Sequence, residues 1–177
     1  MVQALGSNGL ATNKLEIYNV ATNTWTVGAN YPLSLGLVGA FVQGNFVYAA
    51  GGLNNASVPS AKTYRYDPAT NTWDDASIAD LPAARWAAAS ATYGEGVLAG
   101  GYVGGAALAN ISTSAISWDR ASNTWQALPD MLAGRARTNG AVLNGIFYVI
   151  GGLSMSSGSA GTNDNQTLVC SSTNVLS

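Results

Sequence analysis

Three features of the sequence predict an all-β chain built from a unit repeated about every 50 residues. The tripeptide Asn-Thr-Trp occurs at 23–25, 71–73 and 123–125. A Gly-Gly pair stands at 51–52, 100–101 and 151–152. Helical periodicity is nowhere sustained, and short β-branched or aromatic runs alternate with clusters of Gly, Asn, Pro and Ser, the pattern of many short strands.

Taken in order, residues 1–13 fit more than one reading, with 1–6 as the stump of a strand before a Ser-Asn-Gly turn. Residues 14–18 alternate in strand fashion, 20–23 make a turn and 24–27 start another strand. The next unit is complete. Residues 37–42 and 46–50 are two apolar strands joined by a tight Gln-Gly-Asn turn, and Gly51-Gly52 ends the second. A polar loop, 53–61, leads to a third strand at 63–66, where Tyr64 and Tyr66 share one face and Arg65 takes the other. Asp67-Pro68 opens a turn closed by Asn71, with Pro presetting φ and Asn tolerating the left-handed region. Residues 72–74 begin the outermost strand. The unit repeats with strands at 86–93, 97–99, 111–118 and 124–127, and again at 138–143 and 146–150. The last stretch is worn: 167–176 matches 16–25, with Leu176 where Trp25 stands.

These signals together resemble a kelch repeat. Gly-Gly ends the second strand, Tyr66-Asp67-Pro68 ends the third, Asn71-Thr72-Trp73 opens the fourth, and Leu81-Pro82 with Arg85 precedes the next first strand. Tyr18-Asn19 and Trp118-Asp119 depart from the usual Tyr-Asp, and the last unit lacks both Tyr and Trp. The resemblance covers the chain and implies a kelch-type β-propeller segment of four-stranded antiparallel blades packed about an axis. It divides a single region, 1–177, into a partial blade 1–27 and blades 28–75, 76–127 and 128–177, the last with degenerate final strands. Three blades and a part are fewer than the four to eight that usually close a ring. The expectation is an open arc, part of a larger propeller, or copies that associate until their apolar blade faces are covered. Gly-Gly is expected where a Cβ would clash or demand the wrong φ, and each Trp is expected to bury about 150–250 Å² between blades.

Composition excludes several functions. Charged residues make up 9% of the chain and the net charge is −2, with no electrostatic footprint for nucleic acid. Histidine is absent, which removes the commonest general base and transition-metal ligand. Cys170 is the single cysteine, so no intrachain disulfide forms. No apolar run suffices to span a bilayer, and residues 1–20 lack the pattern of a signal peptide. No catalytic residue, metal site or cofactor is expected. Asp74, Asp75, Asp80, Asp130 and Asp164 read as solvated charges.

Strand 2–3 loops and strand 4–1 loops share one face of such a blade. The long loops 53–61, 102–112 and 153–166 therefore make the expected binding face. Arg85 and Arg135 hold matching positions before first strands, with Leu35 at the third. The resemblance implies that they face the central channel and present bidentate guanidiniums to acidic peptides or carboxylated sugars. The alternative is a structural arginine bonded to loop carbonyls. Asn55, Asn110 and Asn165 head glycosylation sequons, all placed in strand 2–3 loops, and favour an extracellular or cell-surface setting over a cytoplasmic one. The first functional reading is a non-catalytic module that binds a protein or glycan through its long loops. A second is a structural subunit associating through blade edges. A third is a fragment of an enzyme related to galactose oxidase, whose copper needs histidines that this chain lacks.

Overall fold

The computed structural model describes residues 10–105, 107–154 and, as backbone, 165–169. Its first hairpin joins β1 (Glu16–Asn19) to β2 (Thr24–Val27). The first complete sheet runs β3 (Gly39–Gln43), β4 (Phe46–Ala50), β5 (Thr63–Asp67) and β6 (Thr72–Asp74), each strand antiparallel to the one before. A short ribbon pairs β7 (Arg85–Trp86) with β10 (Tyr102–Val103). The next four-stranded sheet combines β8 (Ala89–Tyr93), β9 (Glu95–Ala99), β11 (Ala115–Asp119) and β12 (Thr124–Leu128) in the same up-and-down order. The last sheet holds β13 (Asn139–Leu143), β14 (Ile146–Ile150) and β15 (Asn165–Val169). The expected final strand near 173–176, Cys170 and Asp164 fall outside the described residues.

Two four-stranded antiparallel sheets of the kind expected from the sequence are thus present, one of β3 to β6 and one of β8, β9, β11 and β12. Several strand boundaries shift by one or two residues, and two runs differ more. The run 86–93 divides, because Arg85–Trp86 pair with the outgoing loop strand while Ala89–Tyr93 alone join the sheet. The run 111–118 likewise begins its strand only at Ala115.

Three aromatic pairs prove that the units repeat as structure. Tyr18 opposes Trp25, Tyr66 opposes Trp73, and Trp118 opposes Trp125 across the outer two strands. Their ring centroids lie 5.1, 5.0 and 5.4 Å apart, tilted by 41°, 43° and 53°. Such a pair requires a ring on each strand at one non-slipped register, which fixes the outer hairpin.

Blades join through rings set into glycine gaps. Phe41 of β3 stacks on Tyr48 and stands edge-on to Trp125 of the following blade, 5.9 Å away at 89°. Gly96 on β9 leaves the space for it, since a Cβ there would enter the Phe41 ring. The exposed edge of β3 is covered as well. Ser90 Oγ and Thr92 Oγ1 of the next blade accept its Ala40 and Val42 N–H groups at 3.2 and 2.8 Å, which blunts an edge strand.

The Gly-Gly pairs are left-handed, with φ of 71° and 110° at 51–52 and 67° and 83° at 100–101. Their second role is interblade contact. Gly52 N–H donates to Arg85 C=O (2.8 Å) and Gly101 N–H to Arg135 C=O (2.7 Å). A Cβ at Gly51 or Gly100 would drive into those same carbonyls. Beside them, Leu37, Ala87 and Arg137 hold φ of 57°, 56° and 54°. Ala87 N–H donates to Leu37 C=O (3.0 Å) and Arg137 N–H to Ala87 C=O (2.8 Å), a backbone ladder from blade to blade.

Candidate functional site: the long-loop face

The loop after β4 is built by one side chain. Asn54 Oδ1 accepts the N–H groups of Ala56 and Val58, both at 2.9 Å. Asn54 N–H donates to Val58 C=O (3.1 Å), and Ser57, at φ 59°, donates to Asn54 C=O. An Asn that replaces backbone acceptors in this way freezes a short loop. Leu53 bridges Gly36 on one side and Pro59 on the other. Between this loop and residues 33–35 opens a groove of about 540 Å³, floored by buried Leu35 and walled by Leu33, Asn54, Val58 and Pro59.

The next blade treats the same place differently. There Tyr102 and Val103 pair with Trp86 and Arg85, and Gly104 N–H continues the zipper onto Ala84 C=O at 2.8 Å. Trp86 stacks on Tyr102 at 4.1 Å and donates from Nε1 to Gly105 C=O. Arg137 sits over the indole at 5.9 Å. The loop is therefore shut against its own blade. In the preceding blade Gly36 stands where Trp86 stands, and the zipper ends at Leu53. The equivalent rung is unmade: Ser34 C=O and Asn55 N–H pair with nothing among the described residues. Among the described residues none that is charged or aromatic lines this groove, so no motif points to it. The available signal was the Gly36/Trp86/Ala136 difference at one repeat position.

Arg85 and Arg135 are equivalent, as expected, but both are buried, at 5% and 1% exposure. Arg85 Nη1 donates to the carbonyls of Gly100 and Ser114, and Nη2 to Ser114 Oγ at 2.8 Å. Arg135 Nη1 reaches Gly151 C=O at 3.3 Å. Burial pulls Arg85 down to about 10, so it stays charged at neutral pH. Both guanidiniums are buried and turned onto backbone carbonyls of their own blades.

The sequon asparagines are engaged too. Asn55 accepts from Ala11 N–H at 2.6 Å and donates from Nδ2 to Ala11 C=O at 3.3 Å. Asn110 Nδ2 donates to Val103 C=O. Asn165 is placed in the first position of β15, opposite Ile150, and not in the loop before it. Asp74 pairs with Arg65 at 3.0 Å, while Lys62 reaches Asp80 and Asp75 at 3.1 and 3.6 Å. Three of the carboxylates read as solvated are therefore paired, though at positions where such pairs contribute little. Asp130 accepts from Thr113 Oγ1.

The Kelch motif model matches residues 36–77. The chain is 36% identical over 114 residues, 64% of its length, to an F-box/kelch-repeat protein of Arabidopsis thaliana, covering 25% of that protein. It is 27% identical over 83% of its length to a kelch-like protein of Aspergillus terreus, and 28% identical over 83% to a kelch repeat and BTB domain-containing protein of ectromelia virus. It spans 34% and 26% of those two. The solved structure of YjhT superposes with a TM-score of 0.70 at 16% identity, over 86% of this chain and 48% of that one. The Kelch motif at 36–77, repeated in the aromatic pairs and Gly-Gly contacts of the neighbouring units, makes this a chain of kelch repeats, folded as an arc of a β-propeller.

Proposed function

We propose that this arc is a non-catalytic module that binds a partner protein on its long-loop face. One observation carries the reading. The loop at 53–61 is held rigid by Asn54, yet leaves a groove of about 540 Å³ open beside it. A preorganised loop loses little conformational freedom when it binds, and the volume falls in the range typical of ligand sites. The non-catalytic part rests on the sequence, which contains no histidine. Kelch-repeat relatives that carry F-box or BTB domains are consistent with a recognition role.

A photo-crosslinking residue at Val58, on the loop face, tests this against one at Thr70, in the opposite tight turn. Partner adducts from Val58 and none from Thr70 support the reading. Equal capture at both positions, or none at Val58, overturns it. Association through blade edges is a second reading, favoured by Trp25 at 63% exposure on the outer hairpin.

A further inference from the structure

The unmade rung beside Gly36 says what the groove takes. We infer that the slot between Ser34 and Asn55 receives an extended, uncharged peptide strand of the partner. This rests on the loop face being the protein-binding face. Blade 76–127 supplies the template: at the same repeat position, Gly104 N–H bonds directly to Ala84 C=O and closes the gap. In blade 28–75 the two segments stand apart, one offering the Asn55 N–H and the other the Ser34 C=O. Both residues are exposed. An inserted strand satisfies both walls, its own carbonyl accepting from Asn55 and its own amide donating to Ser34. Strand addition of this kind draws affinity from the backbone and selectivity from the pockets for alternate side chains.

The lining decides the side chains. Leu33, Leu35, Val58 and Pro59 are apolar, Ser34, Asn54 and Ser60 are neutral, and among the described residues none in the lining is charged. A carboxylate or ammonium carried into this slot loses hydration and meets no counter-charge. The Asn55 carboxamide does not compete for the inserted strand, because both of its ends are spent on Ala11. The loop cannot fold down to fill the gap while Asn54 holds Ala56 and Val58.

The test titrates the ¹⁵N-labelled full chain with a capped hexapeptide of alternating Thr and Val. Two further peptides replace Val with Glu or carry N-methyl groups on the Val amides, and chitotriose serves as a neutral non-peptide probe. The expected result is a shift centred on the Asn55 amide, with affinity lowered at least about tenfold by N-methylation and by Glu. Val58→Asp, at a 56% exposed position, lowers affinity for the Thr/Val peptide by a similar factor while the circular dichroism spectrum is unchanged. No shift at Asn55, equal binding of the N-methylated peptide, or a response to chitotriose in its place overturns the inference. If the slot fails while Val58 still gives face-specific crosslinks, the loop-face reading stands without it. Loss of both results removes the two together.

Discussion

Tyr31 shows how a single buried hydroxyl governs behaviour in alkali. Its ring stands edge-on to Tyr64 and Trp73, 5.1 and 4.9 Å away, and its hydroxyl has no hydrogen-bond partner among the described residues. Burial raises its pKa well above the ordinary 10.0, and burial raises Tyr64 and Tyr66 in the same direction. Above pH 10 the unfolded tyrosine releases its proton while the folded one retains it. The stability that these groups contribute is therefore full below pH 10 and is lost as pH climbs past it. Urea melts between pH 8 and 11 should show that decline, and Tyr31→Phe should flatten it. At pH 7 the same substitution should be neutral or stabilising by up to about 1 kcal/mol, since it removes an unsatisfied polar group. Arg85→Met is expected to act the other way. It keeps the stem but strips the donors from the Gly100 and Ser114 carbonyls, at a cost of about 2–3 kcal/mol in chemical denaturation. Arg85→Lys should recover part of this at most, because an ammonium lacks the planar fork. An Arg before a first strand was legible in the sequence. The direction of its guanidinium was not, because carbonyls carry no residue-specific signal.

At the scale of one blade, the Asn-Thr-Trp motif is a clamp. Asn71 Oδ1 accepts Ala29 N–H at 2.7 Å while Trp73 Nε1 donates to Ala29 C=O at 3.0 Å. Asn123 and Trp125 grip Ala79 in the same way, at 3.1 and 3.2 Å. Each outer hairpin thereby pins the irregular segment that leads into its own blade. Trp73→Phe should cost about 1 kcal/mol and Asn71→Ala about 1–3 kcal/mol. Their double-mutant cycle should show coupling of at least about 0.5 kcal/mol, because both act on one peptide unit; additive values would mean two independent contacts. The recurrence of the motif and the left-handed Asn were readable from the sequence. The gripped residue was not, since it lies more than 40 positions upstream and is a plain Ala. One trace of it does exist. Pro129 holds the Ala29/Ala79 position of the last unit and has no N–H to give, in the unit where Leu176 replaces Trp. The open groove was hidden for a related reason: it depends on how far a loop zips onto its neighbour, decided by Gly36 against Trp86.

For the molecule as a whole, apolar surface lies exposed on its terminal sheets, with Trp25 and Val27 at 63% and 72% in the first hairpin and Leu143 and Ile150 at 62% and 51% in the last. Interior blade faces show the opposite, with Trp118 and Phe147 at 1% and 0%. Faces of this kind favour association. Sedimentation of the 18.1 kDa chain should find heavier species, and Trp25→Ser with Val27→Asp should shift them toward monomer; a monodisperse wild-type monomer would contradict this. The repeat and its arc were legible because period, paired glycines and aromatic spacing all agree. The ladder through Leu37, Ala87 and Arg137 adds a constraint on any such assembly. Every rung points one way, a later N–H to an earlier carbonyl, so the arc has a donor end and an acceptor end that are not interchangeable. Copies that join through it meet head to tail, and growth stops only by cyclic closure or continues as a filament. A back-to-back dimer with two like ends facing each other has no rung to share.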